Sequence, residues 1–274
     1  MLSKSFVAIL SLACLTVTEA SAKNTPKVVG TVVDISKDAV DHVKIEPEDD
    51  GNTVIFSLKD GYAAEKVVDG SETIKTFDLE KHAPKYITKH IQDGKAYLVI
   101  VVEAAYHLAF KKEKEWTSID ITAFHESVFF KGFESIVLDL EKFVDSSLFS
   151  VEAFGSGEKY AFEAPNKRAS KVVSADKDVV SGDDKLILDA CVYAKGDSMI
   201  ATVWYIYKPD GRIKEVFFQK TEDGWTRVDV TTAAKVLNGM NPDFSTDYKT
   251  VYDGFSVSHV FFVAFAIAFS TLFF

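Results

Sequence analysis

Three blocks of this sequence occur twice in the same order, which constrains the chain to fold as two copies of one unit. Val33-Asp34-Ile35-Ser36-Lys37 returns as Leu138-Asp139-Leu140-Glu141-Lys142, an offset of 105 residues. Lys66-Val67-Val68 returns as Lys171-Val172-Val173 at the same offset of 105. Trp116-Thr117-Ser118-Ile119-Asp120-Ile121-Thr122 returns as Trp225-Thr226-Arg227-Val228-Asp229-Val230-Thr231 at an offset of 109. The change in offset requires an insertion in the second copy, and the turn sequence Lys208-Pro209-Asp210-Gly211-Arg212 is the natural place for it. A repeat of about 105 residues is domain-sized rather than a solenoid unit. Two tandem modules are therefore expected, at 28–134 and 135–242.

Both modules read as mainly β, with α+β the variant. Asp-Gly occurs seven times, ending at Gly51, Gly61, Gly70, Gly94, Gly211, Gly224 and Gly254, and this dipeptide favours the φ > 0 turns that close hairpins. Between these turns lie runs rich in β-branched and aromatic residues, such as Thr53-Val54-Ile55-Phe56, Tyr97–Val102 and Thr202–Tyr207. The Trp-Thr-x-Ile/Val-Asp block alternates apolar and polar residues, as a strand with one buried face does. After it, Ala123–Phe130 and Thr232–Leu237 predict a short helix opening on a Thr cap. Leu79–Gln92 suggests a second helix in the first copy, its start confined by Pro84. The expected architecture is antiparallel sheet with one or two short helices per module.

The ends differ from the middle. Residues 1–22 open with Lys4, continue through an apolar run and close on Ala20-Ser21-Ala22, the pattern of a cleavable secretory signal. Residues 260–274 are uncharged and end the sequence. They number 15, whereas a bilayer span needs roughly 20 apolar residues. A secreted chain with such a terminus is expected to exchange it for a glycosylphosphatidylinositol (GPI) lipid; a true membrane span is the alternative. Gly254 and Ser256 are the candidate attachment residues within a stalk at 243–259, although they stand close to the tail. Asn238-Gly239 and Ser245-Thr246 lie further back.

A net charge of −10 argues against nucleic acid as a partner, since phosphate contacts need a basic face. Cys14 leaves with the signal, so Cys191 is alone in the expected mature chain; it reads as a buried free thiol or, alternatively, an intermolecular disulfide. Asn24, Asn52, Asn166, Asn238 and Asn241 each lack Ser or Thr two residues on, so no N-glycosylation sequon exists.

The motifs of chemistry are absent from the sequence. It contains no Gly-x-Ser-x-Gly, His-Glu-x-x-His or Walker-type phosphate loop. His125-Glu126 is followed by Phe129 where a second metal-binding His would stand. His82 and His90 lack an acidic or cysteine third ligand at zinc spacing, and the acidic run from Glu46 to Asn52 lacks the alternation of a calcium loop. No cofactor, no metal and no enzymatic activity are expected. One basic stretch opposes the global charge: Lys81, His82, Lys85, Lys89, His90 and Lys95, followed by Lys111, Lys112 and Lys114. On a helix, Lys81, Lys85 and Lys89 would share a face. The stretch reads as a solvated face or as a contact for sulfated or sialylated glycans on a host surface, carried by Lys81, Lys85, Lys89, Lys111 and Lys112. Trp204–Tyr207 reads as an adhesive strand or as core, and Trp116 and Trp225, at equivalent positions, as core.

Several segments resemble a known family: Met1-Leu2-Ser3-Lys4-Ser5-Phe6, Asp38–Lys44, Lys66-Val67-Val68-Asp69-Gly70 and the apolar tail. They are similar to the merozoite/piroplasm surface antigens of Theileria and related blood parasites. Phe218–Thr226 also resembles the domain repeated in secreted Theileria proteins; the first copy departs, with Glu115 where the second has Gly224. The resemblance implies a GPI-linked blood-stage coat protein, bound by host antibodies and in contact with the erythrocyte, with no catalytic residues. The alternative function is a secreted effector or binding module acting on a host component after shedding or inside the host cell.

Overall fold

The computed structural model describes residues 28–48, 51–103 and 106–248. The expected signal at 1–22, the attachment candidates Gly254 and Ser256, and the tail at 260–274 lie outside the described residues. The chain divides into two compact units, one over Ser3–Phe129 and one whose main part is Phe130–Phe274. We call them N-terminal and C-terminal. Both are mainly β.

The N-terminal unit runs β1 (Val29–Asp34), β2 (Val43–Pro47), β3 (Thr53–Leu58), β4 (Tyr62–Asp69), β5 (Glu72–Thr76), β6 (Tyr86–Gln92), β7 (Lys95–Glu103), β8 (Tyr106–Lys112), β9 (Trp116–Ile119) and helix α1 (Ile121–Val128). A small sheet has the order β1-β4-β5, and a larger one pairs β2-β3-β6-β7-β8-β9. The C-terminal unit runs β10 (Glu134–Asp139), a 3-10 turn at Leu140–Lys142, β11 (Phe149–Phe154), β12 (Gly157–Phe162), β13 (Lys167–Ser174), β14 (Lys177–Val180), β15 (Lys185–Lys195), β16 (Ser198–Tyr207), β17 (Arg212–Thr221), β18 (Gly224–Val228) and helix α2 (Val230–Met240). Its strands pair in the same order, as β10-β13-β14 and as β11-β12-β15-β16-β17-β18.

Even the irregularities recur. The β1–β4 ladder slips between Thr31 and Val32, and the β10–β13 ladder slips between Ile136 and Val137. Likewise the β4–β5 ladder shifts register opposite Val67 and Val68, leaving Ile74 of β5 as the extra residue, and the β13–β14 ladder shifts opposite Val172 and Val173, leaving Val179 of β14. Asp34 Oδ1 accepts from the amides of Ser36 and Gly70, while Asp139 Oδ1 accepts from those of Glu141 and Ala175. The β16–β17 hairpin has longer strands and a longer connection than β7–β8, and it contains the Lys208–Arg212 turn where the change in offset required an insertion.

The expectation of antiparallel sheet is corrected at two places, because β1 and β4, like β10 and β13, pair in parallel. Parallel neighbours need a crossover rather than a tight turn, and the hairpins β2–β3 and β11–β12, which belong to the larger sheets, supply it. The tight turns are those the sequence indicated: Gly51, Gly61, Gly70, Gly94, Gly211 and Gly224 all have positive φ. At Asp93-Gly94 both central residues do, at 51° and 71°, the geometry that joins twisted strands through two residues.

The expected helix at Leu79–Gln92 is also corrected. Tyr86–Gln92 is strand β6, paired on one side with β3 and on the other with β7. Tyr86-Ile87-Thr88 favours the pleat, and burial of Ile87 against the core fixes the two-residue alternation. The helices that follow the two tryptophan blocks start earlier than expected, and their caps are Asp120 and Asp229 rather than Thr. Each carboxylate accepts from the following turn, at 2.6 Å from Thr122 N and 2.8 Å from Thr232 N.

Each unit buries both faces of its larger sheet. In the N-terminal unit Val33, Ala64 and Val67 of the small sheet pack on Phe56, Ile87, Leu98, Ile100 and Phe110. On the other face lies α1, with Phe124 ringed by His90, Tyr97, His125 and Phe129. In the C-terminal unit Leu138, Ala169 and Val172 pack on Phe162, Val192, Val203 and Phe218. Its opposite face meets α2 through Ala233, Ala234, Leu237 and Met240, extended by Phe244 and Tyr248. Each fully buried Leu, Ile or Phe contributes about 1.5–3 kcal/mol.

Candidate functional site

The five lysines expected to form one basic contact do not share a face. Lys81 stands in a turn and pairs with Asp78 at 3.0 Å; Lys85 precedes β6, 4.0 Å from Asp60. Lys89 Nζ reaches back 3.3 Å to the Ile35 carbonyl. Lys111 and Lys112 are neighbours on β8, so their side chains leave opposite faces of the sheet. Lys111 pairs with Glu113 at 2.7 Å, and Lys112 bonds Asp69 and lies 3.5 Å from Glu72. The single helical face of Lys81, Lys85 and Lys89 is corrected with the helix itself. Exposed pairs of this kind contribute only a fraction of a kcal/mol.

Lys112 belongs instead to a repeated aromatic site. It lies 5.7 Å from the Trp116 ring centroid, and Lys220 lies at the same 5.7 Å from Trp225. Trp116 Nε1 donates to Asp69 at 2.9 Å, and its backbone amide donates to Glu72. Burial pushes the Asp69 carboxyl up, but hydrogen bonds from Lys112 and Trp116 outweigh it and hold the group below its usual range. In the C-terminal unit Ser174 stands where Asp69 does, and Glu141 supplies the carboxylate by accepting from Lys220 and Ser174. Trp225 Nε1 is buried without a hydrogen-bond partner among the described residues. Both tryptophans are half-buried and packed on their cores, as the sequence indicated. Trp204 and Tyr207 are half-buried, and Tyr205 and Ile206 buried.

Beneath each helix lies a buried polar cluster that motif reading did not find. In the N-terminal unit His90 on β6, His107 on β8 and His125 on α1 are all buried. His90 Nδ1 lies 3.1 Å from Thr53 Oγ1. Burial, and then the neighbouring His107 and His90, hold His125 at about 3, so it is neutral near pH 7. Counting back from the Lys–Trp pairs aligns His107 with Glu215, and counting back from the hairpins aligns His90 with Tyr193. Half-buried Glu215 holds that position with different chemistry: loss of solvent around the carboxyl pushes it up to about 8, despite a hydrogen bond from Tyr248 Oη at 2.8 Å.

On the same face of the C-terminal unit, buried Lys159 lies 3.3 Å from Glu152 and interacts with Asp189. Burial raises Asp189 to about 6, against the pull of Lys159. Cys191 is buried and free, with Sγ 4.0 Å from Asp189 Oδ2, and burial raises its thiol well above the usual value. A thiol held protonated is not a nucleophile. Of Lys159, Glu152, Asp189 and Cys191 the sequence reading singled out only Cys191, because strand pairing, not spacing along the chain, brings the others together.

Among the described residues no three His, Cys, Asp or Glu side chains form a metal-binding group. His82 Nδ1 lies 3.6 Å from Glu103. A shallow recess with a cavity volume of only about 10 Å³ is lined by Phe130, Phe162, Lys167, Arg168, Ala169, Ile187 and Leu188, a mostly apolar surface without a carboxylate, imidazole or thiol. No described helix is long and apolar enough to cross a membrane.

A family model described as merozoite antigen matches residues 26–274. No curated protein and no solved structure matches the chain.

Proposed function

Because the chain belongs to the merozoite antigen family, we propose that it is a non-catalytic coat protein, secreted and held on the cell surface by a GPI lipid. The family places it as a surface antigen; the apolar ends support the route to the surface and the anchor. We take the two units to be tandem copies of one module, antiparallel apart from one parallel pair in each, which arose by duplication. The single observation that carries the display role is where the molecule spends its polar chemistry. Buried His90, His107, His125 and Lys159 are enclosed between sheet and helix, and several described surface lysines, among them Lys44, Lys81, Lys111 and Lys171, pair with carboxylates. Such a surface is stable and weakly interacting, and it presents antibodies with a large folded area.

Contact with the host erythrocyte or with sulfated glycans is a subordinate part of this reading. Exposed Lys81 and half-exposed Lys85 in the N-terminal unit are its carriers. The alternative role, a secreted effector acting on a host component, differs in its attachment to the cell. Phosphatidylinositol-specific phospholipase C on intact parasites is expected to release the protein into the medium. Retention in the membrane after complete digestion of a control anchor, or presence of the untreated protein only in soluble form, would contradict the reading.

A further inference from the structure

We propose that the outer edge of β11 pairs with the same edge of a second copy of this chain, as antiparallel strands related by a two-fold axis through Val151. The hydrogen-bond phase of the edge comes first. Glu163 N donates to Leu148 O at 2.9 Å, and Phe154 closes the two-residue hairpin opposite Gly157. Residues 148, 150, 152 and 154 therefore bond to β12, and Phe149, Val151 and Ala153 turn their backbone groups outward. Phe149 N is taken by Asp145 O at 2.9 Å. The N–H and C=O of Val151 and Ala153 face away from β12, and no described strand pairs with them. Val151 is 55% exposed, and Ala153 is exposed beside it.

The equivalent strand of the N-terminal unit shows what a guarded edge looks like. Lys59 N donates to His42 O and Glu48 N to Thr53 O, both at 2.9 Å, so β2 turns Val43, Ile45 and Pro47 outward. Pro47 stands where Ala153 does and has no N–H to offer. Lys44 and Glu46 flank Ile45 as an exposed ion pair at 2.7 Å. Proline and charge are the usual protections of a free strand edge, and β11 has no proline and no lysine. The C-terminal unit has thus kept the same edge while losing its protection.

Register and charge select a second copy as the occupant. Centring the pair on Val151 makes Val151 a reciprocal hydrogen-bonded pair with itself and lets Ala153 N donate to the partner's Phe149 carbonyl. The two-fold repeats that bond, giving four in all. The same register sets Ser150 opposite the partner's Glu152, in a pair with Cβ atoms about 5 Å apart. Ser150 Oγ is buried with no hydrogen-bond partner among the described residues, and a χ1 rotation would turn it toward that carboxylate. Shifting the centre to Glu152 would instead oppose two carboxylates directly, which is repulsive. The strand is therefore self-complementary in one register, as an isologous interface requires.

The test is sedimentation equilibrium of the full chain in detergent. The native chain is expected to show a monomer–dimer equilibrium, and Ala153→Pro, which restores the guard found at Pro47, to weaken dimerisation at least tenfold. Val151→Lys should do the same, and it decides the matter if Ala153→Pro melts early by circular dichroism. Under mild oxidation Val151→Cys should give a disulfide-linked dimer, because the Cα atoms of such a pair lie about 5.5 Å apart. A native chain that stays monomeric at all concentrations, or a dimer unaffected by Val151→Lys, overturns the proposal. A dimer without disulfide formation by Val151→Cys overturns the register.

Discussion

Replacing Lys159 by methionine is expected to destabilise the C-terminal unit by about 3–5 kcal/mol at pH 7, the usual cost of removing one partner from a buried ion pair. Methionine fills nearly the same volume, so the loss is electrostatic rather than a cavity. Glu152 and Asp189 are left without the ammonium that Lys159 supplies at 3.3 Å from Glu152. The cost should shrink at pH 5. Burial already raises Asp189 to about 6, and without Lys159 it would take a proton still more readily. Adding Asp189→Asn should recover much of the loss at pH 7, by removing the charge that needed a partner. Thermal melts of the single and double variants, resolved by hydrogen exchange over β12 and β15, check this. A single variant melting within about a degree of the native chain contradicts it.

The two units should respond to pH in opposite directions. His125 is held at about 3, below the 6.5 expected of an unfolded chain. The unfolded state therefore binds the extra proton, and stability present above pH 6.5 is lost as pH falls toward 3. Each tenfold difference in proton affinity between the two states is worth about 1.36 kcal/mol, so the loss is about 2 kcal/mol by pH 5 and about 4–5 kcal/mol by pH 3. His107 on β8, His90 on β6 and the rings of Phe124 and Phe129 lie beside the His125 ring. Glu215 is displaced the other way, to about 8 from 4.5. The folded state keeps its proton between those values, so this contribution is complete below pH 4.5 and fades as pH rises to 8. Hydrogen-exchange mass spectrometry from pH 7.5 to 5 should show the β6–β8 and α1 amides opening more readily, while the β15–β17 amides become better protected. Exchange rates are compared after correction for intrinsic pH dependence. His125→Leu should flatten the first trend and leave the second. Parallel trends in both units, or an unchanged slope in His125→Leu, contradict the assignment.

Much of the fold was legible because it rests on local chemistry. The Asp-Gly turns, the alternating block after Trp116 and Trp225, and the recurrence of Val33–Lys37 and Lys66–Val68 each depend on neighbours in sequence. What escaped depends on distant partners. Tyr86–Gln92 carries lysine and histidine at spacings that suit a helix, and only its place between β3 and β7 makes it a strand. The parallel pairing of β1 with β4 requires knowing that β2 and β3 leave for another layer. Lys111 and Lys112 look like one basic cluster until the pleat sends them to opposite faces. For the same reason His107, Lys159 and Glu215 carried no signal: each is an ordinary polar residue in a strand until helix and sheet close over it. Cys191 was the exception, since its apolar surroundings in sequence matched its burial.

The central claim is that the apolar carboxyl terminus is exchanged for lipid and that the folded units are what the cell displays. Mass spectrometry of the protein purified from parasites tests it most directly. The account predicts a carboxyl-terminal peptide that ends at a small residue such as Gly254 or Ser256 and carries a glycolipid mass, with no peptide from 260–274. Peptides from 260–274 still joined to the chain would contradict it.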